Sequence, residues 1–271
     1  GSIVFFEEGM DQPFKLNFRW EQELALALEK NYFEVFYQPQ FDIKTCQMTG
    51  VEALIRLRHP RLGLVSPATF IPIAEECDLI VPIGQWVLET ACQQICQWQS
   101  EYGFLLRLAV NVSMKQFHQT NFVDRVAETL SNTGMPSHNL EIELTESLLS
   151  KEPTQTLLQL KALKALGLTL AMDDFGTGYS NLSYLHKFNA QTLKIDRSLV
   201  TQLGPTNENL PLVTAIISMA KSLHLNTVAE GIEHESTAAK LINLGCTRGQ
   251  GFLWSKPLPP DTLSQQLKSH Y

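Results

Sequence analysis

The chain has no run of apolar residues approaching the ~20 needed to cross a bilayer as a helix, and it shows no signal peptide. Basic charge is in short supply. There are 21 Lys and Arg against 28 Asp and Glu, for a net charge of -7. Proteins that bind duplex nucleic acid show a basic balance, so no duplex partner is expected. An acidic protein can still take a phosphate ester where metal ions supply the positive charge. Cysteine is sparse and odd in number: Cys46, Cys77, Cys92, Cys96 and Cys246 contain no C-x-x-C pair. That argues against a disulfide framework and for a reducing, cytoplasmic compartment. Cys92 and Cys96 could share a helix face, but no second Cys or His pair completes a zinc site, and they read as buried free thiols. His59, His118, His138, His186, His224, His234 and His270 show no ligand spacing. There is no Walker A loop, no G-x-S-x-G elbow, and no G-x-G-x-x-G after a first strand. Ser113 and Ser180 lack a His partner, so a serine nucleophile is not expected. Internal repeats and low-complexity segments are also missing.

What is present is globular. Hydrophobic residues make up 44% and charged residues 18% of 271 positions, enough for one large α/β domain or two small ones. Gly1 and Ser2 look like a tag scar. Residues 3–10 read as the last strand of a preceding domain, followed by a polar linker to about Phe18. Helical periodicity begins at Trp20 and runs to Glu29. Strand-like and helix-like segments then alternate. Strands are expected at 33–41, 51–57, 106–113, 140–145, 168–172, 192–195, 226–229 and 246–253. Helices are expected at 66–77, 82–100, 121–132, 154–166, 181–188, 210–223, 235–244 and 261–268. Eight strands each followed by a helix imply a TIM-like (β/α)8 barrel of the α/β class, with an open doubly wound sheet as the alternative.

The stretch 168–180 organises the rest. An apolar strand ends on Asp173-Asp174, followed by a turn with Gly176 and Gly178. Adjacent strand residues point to opposite faces, so both carboxylates meet one site only if the strand has ended and the chain turns. Two such carboxylates repel, and a divalent cation relieves the repulsion. The plainer reading is that Asp-Asp caps the next helix. Other strand ends add weight to the first reading. Barrel enzymes place their chemistry there. The second expected strand carries Glu52, the third ends at Asn111, and the fourth carries Glu141, Glu143 and then Glu146. The sixth carries Lys194 and Asp196, the seventh ends at Glu230 with Glu233 behind it, and the eighth carries Gln250. Oxygen-rich sites with few His ligands suit Mg²⁺ or Mn²⁺.

Taken as a set, these residues resemble the EAL-domain cyclic-di-GMP phosphodiesterases. The motifs, in order, are Tyr37-Gln38-Pro39, Glu52-Ala53-Leu54 with Arg56, Asn111-Val112-Ser113, and Glu143-Leu144-Thr145-Glu146-Ser147. They continue with Asp173-Asp174-Phe175-Gly176-Thr177-Gly178-Tyr179-Ser180, Leu193-Lys194-Ile195-Asp196, Ala229-Glu230-Gly231-Ile232-Glu233 and Gln250-Gly251-Phe252. The resemblance covers about Trp20 to Pro259 and marks residues 19–271 as the EAL domain. Residues 1–18 would be tag scar and linker from an upstream domain, such as a GGDEF domain.

The resemblance implies a modified barrel whose first strand runs antiparallel to its neighbours. It implies hydrolysis of cyclic di-GMP to linear pGpG by a water activated between two ions, Mg²⁺ or Mn²⁺. Glu52, Asn111, Glu143 and Asp173 would hold the first ion. Asp173 would bridge to the second, which Asp174 and Glu230 complete. Lys194 would contact the attacking water, with a pKa lowered beside the cations, and Gln250 would order the water or ligand shell. Gln38, Leu54 and Arg56 would hold the substrate, with Glu146 and Glu233 in support, Glu146 by anchoring the loop after Asp174. Alone, Lys194 would read as a salt bridge to Asp196 and Arg56 as a surface ion pair. Leu57 stands where the family often has Trp, and Gly245-Cys246-Thr247 replaces the usual Gly-Cys-Asp. A homodimer through the region after Asp174 is expected, with no membrane contact by this domain, although a longer protein could be membrane-anchored. A receptor that binds without hydrolysis is the second reading. It expects loss of Glu52, the Asp pair or Lys194, and all are present.

Overall fold

The computed structural model describes residues 11–103, 105–146, 153–176, 189–203 and 208–270. Strand Leu140–Thr145 shows the rule on which the fold is built. Leu140, Ile142 and Leu144 alternate with Glu141 and Glu143, and all five are buried. Successive side chains of a strand take opposite faces. One face therefore goes to the helical layer and the other to a polar interior.

Nine strands occur among the described residues: β1 (Phe33–Asp42), β2 (Met48–His59), β3 (Gly63–Val65), β4 (Arg107–Asn111), β5 (Leu140–Thr145), β6 (Thr169–Phe175), β7 (Thr192–Ile195), β8 (Asn226–Ala229) and β9 (Arg248–Gly249). Their order in the sheet is β1-β9-β8-β7-β6-β5-β4-β2-β3, and β1 also pairs with β2. That last pairing closes an eight-stranded barrel, leaving β3 as a flap on β2. From β2 through β4 to β9 the barrel strands are parallel. β1 is antiparallel to both β2 and β9, as the family resemblance implied.

Helices fill the connections from β3 to β6 and from β7 to β9. Pro67–Glu76 and Ile80–Tyr102 precede β4, Phe122–Thr133 precedes β5, and Pro153–Ala165 precedes β6. Leu210–Ser222 and Glu235–Leu244 flank β8, and Pro260–His270 ends the chain's ordered elements. The buried core includes Leu88, Ile95, Leu163, Ile217 and Leu241 from these helices. Each such side chain contributes about 1.5–3 kcal/mol by leaving water. Trp98 ties the last helix to the barrel, donating to Ser264 Oγ at 2.7 Å while its ring meets Tyr37 edge-on at 4.9 Å.

Several expectations are corrected. The first strand is followed by an antiparallel hairpin rather than a helix. The eighth expected strand, 246–253, shrinks to Arg248–Gly249. Beyond it the chain turns away, with Trp254 N bonding Gly251 O at 3.2 Å. The linker expected to reach Phe18 is helical from Asp11, in a helix spanning Asp11–Glu29. The strand expected to stop at Met172 continues to Phe175. Of the two thiols read as buried, Cys92 is buried and Cys96 half-buried; all five cysteines are free. Short helices at Met114–Phe117 and Arg197–Thr201 were not foreseen. The expected helix 181–188 and the residues 177–180 of the central motif lie outside the described residues. No helix among the described residues is long and apolar enough to cross a membrane.

Candidate active site

The Asp pair lies in a bulge, not at a strand end. Met172 pairs with Leu193 and Phe175 with Ile195, so Asp173 and Asp174 together stand opposite the single residue Lys194. A bulge sets two residues against one and breaks the strict alternation of faces. Asp174 carries the anomaly, with φ 54, a left-handed angle that Asp tolerates better than most residues. Its amide bonds Asp173 Oδ1 at 2.9 Å. Asp173 is buried toward Lys194, at 3.2 Å, whereas Asp174 beside it is exposed.

Lys194 sits at the centre of the site, 1% exposed. Its Nζ lies 2.5 Å from Glu143 Oε2, 2.7 Å from Glu230 Oε1, 3.2 Å from Asp173 Oδ1 and 3.5 Å from Glu52 Oε1. The salt bridge to Asp196 considered for it is not what forms. Asp196 instead caps the helix Arg197–Thr201, accepting from Ser198 N at 2.9 Å. Two amides complete the ring of contacts. Asn111 Nδ2 donates to Glu52 Oε1 at 2.6 Å, and Gln250 Nε2 donates to Glu52 Oε2 at 2.5 Å and to Glu230 Oε1 at 3.3 Å. Gly251, beside Gln250, lies so close to Ile232 that a Cβ would stand 2.1 Å from the Ile232 carbonyl oxygen. That approach clips the ends of β8 and β9 together: Ile232 N donates to Gln250 O at 3.1 Å.

Charge in the cluster is unbalanced, with four carboxylates around one ammonium. Burial favours the neutral form of an acid, and neighbouring carboxylates add to it. Burial raises Glu143 well above the ordinary carboxylate range; the pull of Lys194 is outweighed once Glu52 and Asp173 are counted. Burial likewise lifts Glu230 to about 8, against Lys194 and with Asp173 and Glu52. Glu52 goes the other way. Burial pushes it up, but Lys194, Gln250 and Asn111 together bring it below its usual value. Partial burial, Asp173 and Asp196 raise Asp174. Burial works against the Lys194 ammonium, yet Asp173, Glu143, Glu230 and Glu52 hold its pKa well above that of an ordinary lysine. The lowered pKa expected for Lys194 belongs to the site with cations bound; without them the carboxylates set the direction. Glu143 Oε1 is buried with no hydrogen-bond partner. Among the described residues, no three His, Cys, Asp or Glu side chains stand as a ready metal cage, because Lys194 lies between the carboxylates.

The remaining predicted residues fall around this centre. Gln38 is buried and donates to Ser255 O at 3.3 Å. It lines a cleft of about 110 Å³ with Arg197, Glu230, Glu233, Gln250 and Phe252. Leu54 and Arg56 continue along β2 from Glu52 on the same face, both half-buried. Arg56 is not the surface ion pair considered for it. It donates to Ile55 O at 2.8 Å and its guanidinium lies 5.5 Å over the Phe36 ring. Glu233 is exposed and pairs with Arg197 at 2.9 Å. Glu146 directly follows β5 and is half-buried, and the loop it was expected to anchor lies outside the described residues. Three interior residues were not assigned a role from sequence: Gln40, Arg107 and Glu141, which lie one layer deeper in the barrel.

A closed barrel with an acidic, lysine-centred cluster at the C-terminal ends of its strands has clear relatives. The EAL domain family profile matches residues 21–257. A protein of Synechocystis sp. without an assigned function is 40% identical over 254 residues, covering 94% of this chain and 36% of that protein. The bifunctional diguanylate cyclase/cyclic di-GMP phosphodiesterase MucR of Pseudomonas aeruginosa is 38% identical, over 96% of this chain and 38% of its own length. Among solved structures, the PaMucR phosphodiesterase in complex with c-di-GMP superposes with a TM-score of 0.87 at 39% identity, over 90% of this chain and 99% of that one. The EAL enzyme Bd1971 superposes at 0.91 with 31% identity, over 96% and 71%. The chain belongs to the EAL-domain family. It spans about a third of the length of the curated relatives it matches.

Proposed function

We propose that this domain hydrolyses cyclic di-GMP to linear pGpG with the help of two divalent ions, Mg²⁺ or Mn²⁺. The observation that carries the reading is the gathering of Glu52, Glu143, Asp173 and Glu230 about Lys194 at the strand ends. Membership of the EAL family and the likeness to a phosphodiesterase solved with c-di-GMP support the substrate.

The donor set fits hard cations. It is all oxygen, it has an excess of acceptors over donors, and one buried Glu143 oxygen lacks a partner. Glu52, Asn111, Glu143 and Asp173 would hold one ion; Asp173, Asp174 and Glu230 the other. When bound, such ions lower the pKa of a coordinated water and stabilise charge on phosphoryl oxygens. The protein's own groups do the rest. Lys194 orients the attacking water by hydrogen bonding. Gln250 holds Glu52 and Glu230 in place. Gln38, Leu54 and Arg56 receive the nucleotide, with Arg56 placing positive charge toward its phosphates, and Glu233 stands at the edge of the same cleft. In the reaction the water oxygen bonds to phosphorus, the P–O3′ bond breaks, and the released 3′ oxygen takes a proton, leaving pGpG. The domain would pair with a second copy through the region after Asp174.

Incubation of the purified domain with cyclic di-GMP and Mg²⁺ or Mn²⁺ tests the reading. pGpG should form with the parent and be lost with Glu52→Ala. Tight nucleotide binding without pGpG under either metal would instead mark a receptor.

A further inference from the structure

Gln250 is held from behind. Its Oε1 accepts from Gln40 Nε2 at 3.0 Å, and Gln40 Oε1 accepts from an Arg107 NH2 group at 3.2 Å. Gln40 is fully buried. The polarity of this row follows from chemistry, not from which amide atom is labelled oxygen. A guanidinium only donates and a carboxylate only accepts. Arg107 at one end therefore requires the oxygen of Gln40. That leaves Gln40 its nitrogen for Gln250, which must answer with oxygen. The Gln250 nitrogen is then turned onto Glu52 and Glu230. Arg107 faces Glu141 as a buried ion pair, with Glu141 Oε1 3.8 Å from Arg107 Nε and no hydrogen bond between those two atoms. Glu141 Oε2 accepts from Thr192 Oγ1 at 2.6 Å, two residues before Lys194 on β7.

We infer that Gln40 and Arg107 are positioning residues: acting through Gln250, they fix which way its amide faces and so the orientation of the Glu52 and Glu230 carboxylates. The inference rests on the reading of that site as a divalent-metal phosphodiesterase centre. Residues that orient metal ligands from behind typically change metal affinity or activity by about 10–100-fold when replaced. The plain alternative is that Gln40 and Arg107 only fill the barrel interior, in which case polarity is irrelevant and volume is all that counts.

Two substitutions separate these. Gln40→Glu still accepts from Arg107 but cannot donate to Gln250, so the Gln250 amide turns its oxygen toward Glu52. Mn²⁺ affinity, measured by calorimetry without substrate, should fall about tenfold or more. The kcat should fall with it while KM changes by less than about twofold, the pattern of a lost transition-state interaction. Arg107→Lys keeps a donor-only end and should stay near the parent, whereas Arg107→Met should weaken Mn²⁺ binding as Gln40→Glu does. The inference is overturned by a folded Gln40→Glu that binds Mn²⁺ like the parent, or by Arg107→Lys losing as much as Arg107→Met. Unfolding of both Gln40→Glu and Arg107→Met would assign these residues to the fold alone and also overturn it. A parent that binds no Mn²⁺ overturns the metal reading itself, which keeps the two failures distinct.

Discussion

Lys194 is surrounded by more negative charge than it can neutralise, and its replacement has a calculable sign. Removing one partner of a buried ion pair costs about 3–5 kcal/mol, because the remaining charge is stranded. Here the stranded carboxylates can take up protons, more easily at low pH. Lys194→Met should therefore lower the thermal midpoint more at pH 8 than at pH 6, and lower kcat by about a hundredfold or more. Equal losses of midpoint at both pH values would contradict the cluster described. Glu230 gives a second test. Its folded pKa of about 8 exceeds the ordinary 4.5, so its contribution to metal-free stability is full below about 4.5 and is lost as pH rises through 8. A bound cation displaces that proton. Mn²⁺ affinity should rise from pH 6 to 8, by up to about tenfold per pH unit for each proton released. Calorimetry in buffers of different ionisation enthalpy would count the protons, and a pH-independent affinity would contradict the raised pKa. At this scale much of the site was legible, since Glu52, Glu143, Asp173, Lys194, Glu230 and Gln250 stand as polar residues within apolar strands and meet in one cluster. Gln40 and Arg107 were not. Gln40 lies two residues beyond Gln38 on the same strand face, which was the available signal, but its partners come from β4 and from the residue just after β9 and are set only by closure.

Among the elements, β6 runs past the end that its sequence pattern sets. Propensity and hydrophobicity end the strand at Met172, yet pairing with β7 carries it through the bulge to Phe175. Backbone strain sits at Asp174, where φ is 54. Asp174→Asn keeps a residue that accepts left-handed angles, whereas Asp174→Val places a β-branched side chain there. Thermal or denaturant unfolding should show Asn close to the parent and Val destabilised by about 1–3 kcal/mol. Both should lose activity, because neither restores the carboxylate. A Val variant as stable as Asn would show that the angle is not imposed by the fold. The misread of β9 has a similar origin. Cys246, Phe252, Leu253 and Trp254 look strand-like in composition, but Gly249 and Gly251 bring the backbone against Ile232 and end the ladder after Arg248–Gly249. The antiparallel β1 was invisible to periodicity, since a buried strand reads the same in either direction; it came from family resemblance.

For the whole molecule, the barrel brings to one mouth groups that lie as far apart in sequence as Glu52 and Gln250, 198 positions from each other. Such a site is held only by the folded state, so a ligand that needs it stabilises folding. At a hundredfold excess over its dissociation constant, Mn²⁺ should add about 2.7 kcal/mol. For a chain of this size that is a rise of several degrees in Tm, at about 2–4 °C per kcal/mol. Glu143→Gln should lose most of that rise, and scanning fluorimetry with and without a chelator reads it directly.

Crystals of the domain soaked in Mn²⁺ and measured at the manganese absorption edge address the central claim without intermediaries. Two anomalous peaks should appear with Asp173 in contact with both, Glu52, Asn111 and Glu143 on one, and Asp174 and Glu230 on the other. Peaks elsewhere, or none while the carboxylates keep their grip on Lys194, would contradict the account.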